Sequence, residues 1–129
     1  VFGGFGSTAQ HSYFQLLHQG TGSVCADVFT IAENKEKNKL LFAQSQAQSN
    51  LLANGADAEL QEFEKVHGNI PTNLFTLESL NPFNFGYLIA TWEHRTFLTS
   101  QMLQINPFDQ YGVSAGKIFT KKYLEEHGS

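Results

Sequence analysis

Segments with a strand pattern and segments with a helix pattern alternate along this chain, and this alternation is the strongest constraint on its fold. Residues 23–32 are rich in valine, phenylalanine and isoleucine, which is typical of a parallel strand buried on both faces. A helical repeat follows over 39–54, then a strand pattern over 73–77 and a long apolar helical pattern over 83–105. Strands that alternate with helices predict an α/β fold with a mainly parallel sheet. The long helix is expected to be central and buried.

Small polar residues and glycines mark where the predicted helices begin and end. Ser7 or Thr8 can cap a first helix that runs to about Gln19, because a hydroxyl oxygen satisfies a free N–H group at a helix start. Gly55 is the predicted end of the second helix, since glycine commonly terminates helices. A short helix is expected over 58–65.

The C-terminal part of the chain combines a helix start with polar side chains. Asn106 can cap a final helix whose first position is Pro107. Gln110 and Lys117 would then share one face of that helix, two turns apart. The intervening Gly-Val-Ser-Ala-Gly run (residues 112–116) presents little bulk, so a ligand or another segment could approach closely. A lone lysine is usually solvated, and the surrounding motif is what indicates a site.

Charge and composition exclude several classes of partner. The net charge is −4, and no basic cluster is larger than the Lys121-Lys122 pair, so binding to nucleic acid or to a membrane surface is not expected. The single Cys25 cannot form an intramolecular disulfide, fits a reducing compartment and is expected to be a small core residue. No signal peptide and no run of about 18 apolar residues is recognised, so the cytoplasm is the default location.

The glycine-rich segment 3–8 and the histidines give weaker signals. Backbone amides at a strand-to-helix turn favour an anion, but this segment lacks a full nucleotide-binding motif, and a sterically required tight turn is the stronger alternative. His11 follows that turn and His18 shares its helical face. Either could be a hydrogen-bonded structural histidine. No histidine pair has the spacing of a zinc site, so no metal site is predicted.

Three segments together resemble one family. Residues 6–21 are similar to a Gly-Thr-Asn-Gly-Gln-His segment and its helix, residues 69–73 to an Asn-Arg-Pro-Thr-Asn turn, and residues 88–117 to a block that ends in Phe-Asp-Gln-Trp-Gly-Val-Glu and a lysine. The family is glucose-6-phosphate isomerase, also called phosphoglucose isomerase. Order and spacing match from end to end, so the resemblance covers nearly the whole chain.

The resemblance implies a fold, a reaction and a setting. The fold would be a three-layer αβα sandwich of the sugar isomerase type with a mainly parallel sheet, incomplete in this chain. Residues 1–129 would be the C-terminal part, and an upstream domain is expected because the chain opens without Met on what resembles the end of a strand. The enzyme would interconvert glucose 6-phosphate and fructose 6-phosphate in the cytoplasm, as a homodimer and without a cofactor.

The resemblance also assigns roles to individual residues. His11 matches the histidine implicated in opening the sugar ring, which reaches the site from the neighbouring subunit. Lys117 matches the lysine near the ring oxygen, and Gln110 matches a glutamine that holds the substrate. The family's general-base glutamate, its arginine and its phosphate loop have no counterpart here. The chain alone is therefore expected to be inactive.

Departures from the family's sequence, Ser114 and Ile70 among them, keep other functions open. Ser114 stands where the family has glutamate, and Ile70 stands where it has arginine. One alternative is an inactive sugar-phosphate-binding or dimerisation module, and another is a regulatory domain that binds phosphorylated sugars. An incomplete sheet would also leave an open edge, so association between copies is expected.

Overall fold

Two compact units make up the chain, unit 1 over Val1–Phe85 and unit 2 over Gly86–Ser129. The computed structural model describes residues 3–56 and 61–128. In chain order the helices and strands are α1 (Gly6–Ala9), α2 (Phe14–Gln19), β1 (Ala26–Ile31), α3 (Asn34–Lys37), α4 (Lys39–Asn54), β2 (Thr72–Leu77), α5 (Pro82–Leu103) and α6 (Tyr111–His127). The short helix expected over 58–65 is represented by a 3-10 turn at Glu62–Glu64, and residues 57–60 lie outside the described part of the chain.

The two strands of unit 1 pair in parallel, as the sequence predicts. Their register runs from Ala26 opposite Thr72 to Ile31 opposite Leu77. With α4 between them in the chain, β1 and β2 form a βαβ unit, in which a helix connects neighbouring parallel strands. The α/β class and the parallel pairing are therefore confirmed.

Burial of the first strand is lower than its apolar sequence predicts. Phe29 is 42% exposed, although it stacks on Phe75 across the strand pair at 5.3 Å between ring centroids. Thr30 is the buried residue of β1. The prediction of a strand buried on both faces is wrong, because α3, α4 and β2 are the elements that pack closely against it. Cys25, just before the strand, is exposed and not the expected core residue.

The α4 helix has the bounds that its sequence predicts, because local signals fix both ends. The Asn38 side chain accepts a hydrogen bond from the Leu41 N–H at 3.2 Å, which satisfies a free donor of the first turn. At the other end Gly55 has a φ of 74°, a conformation that side-chain-bearing residues rarely adopt. A Cβ at Gly55 would also meet the Val66 carbonyl oxygen at 2.3 Å. Glycine is required here by both conformation and space.

The core of unit 1 lies where α4 meets the sheet. Leu52 is fully buried, and α4 packs against both strands. The Ser45 hydroxyl donates to the Thr30 hydroxyl at 2.9 Å, which gives the buried Thr30 a hydrogen-bond partner. The Asn69 and Ile70 N–H groups donate to the carbonyls of Ala53 and Leu52 at 2.8 and 3.1 Å, respectively. These contacts fix α4 on the sheet along its length.

Unit 2 contains most of α5, a connecting turn and α6, and its side chains are largely exposed. Ser100 is the buried residue of α5, and Met102 is 84% exposed. The prediction that this helix is central and buried is therefore wrong for the chain as described. Apolar side chains around a helix indicate burial only where other chain covers them, and residues 86–128 supply one further helix.

Candidate active site

His11 lies in a turn between two short helices. The sequence predicts one continuous helix capped by Ser7 or Thr8, but α1 ends at Ala9 and α2 begins at Phe14. That prediction is wrong, because the N–H groups of His11 and Ser12 donate to carbonyls three residues earlier, a tighter winding than the α-helix, at 3.2 and 3.0 Å. The N-cap of α1 is Phe5, which has no capping side chain. The His11 side chain is exposed.

The glycine-rich segment before His11 is open rather than crowded. A Cβ at Gly3 or Gly6 would meet no described atom within 4 Å, and one at Gly4 would make ordinary contacts with Tyr13 and Ala9. The described residues therefore give no support to a sterically required tight turn at Gly3 or Gly6. The α1 helix that follows has four residues, too few for a strong dipole at its N-terminus.

Gln110 stands at the start of α6. The final helix begins at Tyr111, with Gln110 as its N-cap, and not at Pro107 as predicted. The Asn106 side chain accepts from the Phe108 N–H at 3.0 Å. This local turn holds the backbone outside the helix, because an asparagine side chain that binds two residues ahead competes with helix formation. The Gln110 side chain makes no capping bond and is exposed.

Lys117 differs from the other lysines of α6. Lys121 and Lys122 each have a glutamate four residues ahead, with N–O distances of 3.8 Å. No acid stands three or four residues from Lys117 on its own helix. Its exposed amine is consequently free of helical ion pairing. The Lys117 amine is therefore available to bind an oxygen atom of a ligand.

The small residues around Lys117 leave its surroundings accessible. A Cβ built at Gly112 or Gly116 would meet no described atom within 4 Å. Gln110 and Lys117 are seven residues apart, which corresponds to about 10 Å along a helix axis. His11 belongs to unit 1, whereas Gln110 and Lys117 belong to unit 2.

Polar contacts at the end of α2 were not predicted from the sequence. His18 Nε2 lies 3.0 Å from Gln48 Oε1 on α4. The Gln19 amide donates to the carbonyls of Phe63 and Lys65 at 3.1 and 2.9 Å. The sequence suggested only that His18 could be a hydrogen-bonded structural histidine, and this alternative is the one that the structure supports.

A cleft of about 810 Å³ lies beside the end of α2 in unit 1. Its charged and imidazole side chains are those of His18, Glu62, Lys65 and His67. Lys65 pairs with Glu62 at 2.5 Å, so the charges within the cleft are largely balanced. None of the predicted catalytic residues lines it.

The described residues contain neither a metal-binding cluster nor a membrane-spanning helix. Within 3–56 and 61–128, no group of three or more histidine, cysteine, aspartate or glutamate side chains could hold a metal ion. No helix in those same ranges is both long and apolar enough to cross a membrane.

Comparison with known proteins gives one consistent family. The family model for phosphoglucose isomerase matches residues 1–129. Glucose-6-phosphate isomerase of Acinetobacter baumannii (strain AYE) is 41% identical and matches 96% of this chain. Glucose-6-phosphate isomerase of Chlorobium luteolum is 38% identical and matches 98%. A crystal structure of a glucose-6-phosphate isomerase from Chlamydia trachomatis superimposes with a TM-score of 0.85 at 32% identity over 96% of this chain.

The match covers only part of each relative. The chain spans 26% of the Acinetobacter protein and 26% of the Chlamydia chain, and 27% of the Chlorobium protein. The α/β fold with parallel strands agrees with the fold of that solved structure. With a family model that matches every residue, the resemblance found in the sequence is confirmed: the chain belongs to the phosphoglucose isomerase family.

Proposed function

We propose that these 129 residues form the C-terminal part of an enzyme that interconverts glucose 6-phosphate and fructose 6-phosphate. Support comes from family membership over the whole chain and from relatives that carry the name glucose-6-phosphate isomerase. The intact enzyme would act in glycolysis and gluconeogenesis, in the cytoplasm and as a homodimer.

His11 and Lys117 would act on the ring of the sugar. Opening a cyclic hemiacetal removes a proton from the C1 hydroxyl, breaks the bond between C1 and the ring oxygen, and delivers a proton to that oxygen. A histidine suits such proton exchange near neutral pH. A lysine ammonium near the ring oxygen would stabilise negative charge as the bond breaks.

Gln110 would hold the open substrate for the isomerisation itself. A general base then moves a proton between C2 and C1 through an enediol, and the ketose closes. The base would come from a part of the enzyme that this chain does not match. The 129 residues alone should therefore show no turnover.

Among the lysines of α6, Lys117 alone has no acid three or four residues away on that helix, and this is the observation that supports the assignment. Lys121 lies one turn further on the same helix and is ion-paired with Glu125. Both side chains are exposed, so exposure alone does not distinguish them. Lys117 also stands beside the small residues Gly116 and Ala115, which leave room for a ligand.

The matched pair Lys117→Ala and Lys121→Ala tests the proposal in the full-length polypeptide that carries residues 1–129. Lys117→Ala should lower kcat for fructose 6-phosphate conversion by about 100-fold or more. Lys121→Ala should leave it within about twofold, since an exposed ion pair contributes little to stability. Equal effects of the two changes would contradict the assignment of Lys117.

An inactive module is the competing function. The exposed apolar side chains of α5 and α6 favour a dimerisation module, because such surfaces can associate. A full-length protein that binds fructose 6-phosphate in calorimetry but converts none of it would support the module. Turnover by the full-length protein would reject it.

A further inference from the structure

The helix that follows His11 makes long-range polar contacts at its C-terminal end. α1 packs against α4, whereas no residue of α2 is buried. Leu16 in its middle is 53% exposed. Phe14 and Leu17 are half-buried, so apolar packing of α2 is partial, and hydrogen bonds from its last two residues add to what holds its C-terminal end.

The hydrogen bond of His18 ties α2 to α4. Gln48 Oε1 is an acceptor, so His18 donates from Nε2 across the 3.0 Å contact. The bond is partly buried, which makes it stronger than the same bond in water. The Phe14 ring lies 6.0 Å from the His18 ring between centroids and limits its rotation from the side of α2.

Gln19 ties the same end of α2 to a second segment. Its amide nitrogen donates to two backbone carbonyls, those of Phe63 and Lys65. Its own oxygen accepts from the Gln15 amide at 2.5 Å. All the hydrogen-bonding groups of the Gln19 side chain thus have partners that fix its conformation.

The His18–Gln48 hydrogen bond depends on the position of α4, and α4 in turn is held on the sheet. α4 is joined to β1 by the Ser45–Thr30 hydrogen bond and to the 68–70 loop by backbone bonds. A continuous series of contacts runs from the sheet through α4 to His18 and along α2. His11 lies seven residues before His18.

We propose that His18 and Gln19 are positioning residues that orient α2, and through it His11, for ring opening. The proposal rests on the proposed function, because it presumes that His11 acts on the sugar. A displacement of about 1 Å at a reacting group can lower a rate by about 100-fold. Loss of a hydrogen bond at the C-terminal end of α2, away from His11, should lower the rate by less than this.

The test uses the full-length polypeptide that carries residues 1–129. His18→Leu should lower kcat about tenfold and leave KM within twofold, because His11 would be misplaced while substrate binding is retained. Gln48→Leu, which removes the partner from α4, should reproduce this result. His18→Gln, whose amide can reach the same acceptor, should restore most of the rate.

Controls separate positioning from general destabilisation. His67→Leu alters an exposed histidine of the same unit and should leave kcat unchanged. Thermal unfolding selects the variants that remain folded, and Gln48→Leu provides the test if His18→Leu does not fold. Unchanged kcat in folded His18→Leu or Gln48→Leu would overturn the proposal.

A double variant distinguishes this proposal from the function on which it rests. If His18 acts through His11, His18→Leu should cause no further loss of kcat in a His11→Ala background. A further tenfold loss there would overturn the positioning role and leave the role of His11 intact. Unchanged kcat in His11→Ala alone would instead overturn the role of His11 in ring opening. Absence of turnover in the unsubstituted full-length protein would overturn the proposed function.

Discussion

The two units of the chain contain helices of similar length that differ in how their ends and faces are supported. In unit 1, α4 has a capping side chain at Asn38, a required glycine at Gly55 and a fully buried Leu52. In unit 2, α6 starts at Tyr111, its N-cap Gln110 makes no side-chain capping bond, and the helix has no buried residue. Unit 1 is therefore specified by contacts within the chain. The helices of unit 2 present surfaces that gain stability only when something covers them.

The largest stability difference between the units should come from truncating leucines. Leu52→Ala removes a fully buried side chain and should lower the free energy of unfolding by about 2–5 kcal/mol. Leu98 is 60% exposed, so Leu98→Ala should cost less than about 1 kcal/mol. Urea denaturation of the 129-residue chain followed by circular dichroism measures both values.

Comparable losses from the two leucines would remove the contrast between the units. Measuring Leu52→Ala and Leu98→Ala in the full-length protein as well sharpens the comparison between the two units. A larger cost of Leu98→Ala there would identify α5 as a covered surface in the intact enzyme.

Exchanges at helix C-termini should change stability in opposite directions. Gly55→Ala forces a Cβ against the Val66 carbonyl at a positive φ and should destabilise unit 1 by about 1–3 kcal/mol. α5 ends at Leu103, and the next residue, Gln104, has a φ of 55°; the Gln104 N–H donates to the Gln101 carbonyl and the Ile105 N–H to the Ser100 carbonyl. Glycine suits that conformation better, so Gln104→Gly should stabilise the helix by about 0.5–1 kcal/mol. Thermal melts of both variants test the pair, and a loss of stability in Gln104→Gly would contradict it.

The smallest effect is expected at the helix N-caps. Asn38→Ala removes the bond to the Leu41 N–H and should cost about 1 kcal/mol. Gln110 makes no capping bond, so Gln110→Ala should change the unfolding free energy by less than about 0.5 kcal/mol. In the full-length protein, the proposed substrate contact of Gln110 predicts a higher KM for Gln110→Ala. Matched losses of stability at both caps would show that the two helix starts are equivalent.

Elements with strong local signals were predicted well from the sequence. The bounds of α4 follow from Asn38, its leucine repeat and Gly55, and β2 begins one residue before its predicted start. Both elements are supported by nearby side chains and by each other through the sheet. Local and tertiary preferences agree there, which is the condition under which sequence patterns succeed.

Two helix starts were predicted wrongly because local turns compete with helix formation. Asn106 binds the Phe108 N–H and delays α6 until Tyr111. His11 and Ser12 wind too tightly for one continuous helix. Burial was mispredicted along α5 because an apolar pattern does not show whether the covering chain is present.

The candidate site depended on resemblance more than on pattern. The helix-start pattern places Gln110 and Lys117 on one face, whereas the roles of His11, Gln110 and Lys117 follow from the match to the family's motifs and remain predictions. The tie between His18 and Gln48 joins residues 30 positions apart, so no local spacing could reveal it. Its only sequence signal was a histidine near the end of an apolar helix.

The parallel pairing of β1 with β2 also affects the order in which unit 1 can fold. Asp27 and Asn73 share a hydrogen bond across 46 positions of the chain, and closing a loop of that length costs about 3 kcal/mol of entropy before the strands gain any contact. The capped α4 lies inside that loop and its first turns depend on local interactions. Because non-local pairings form slowly, we expect the pairing of β1 with β2 to follow the formation of α4.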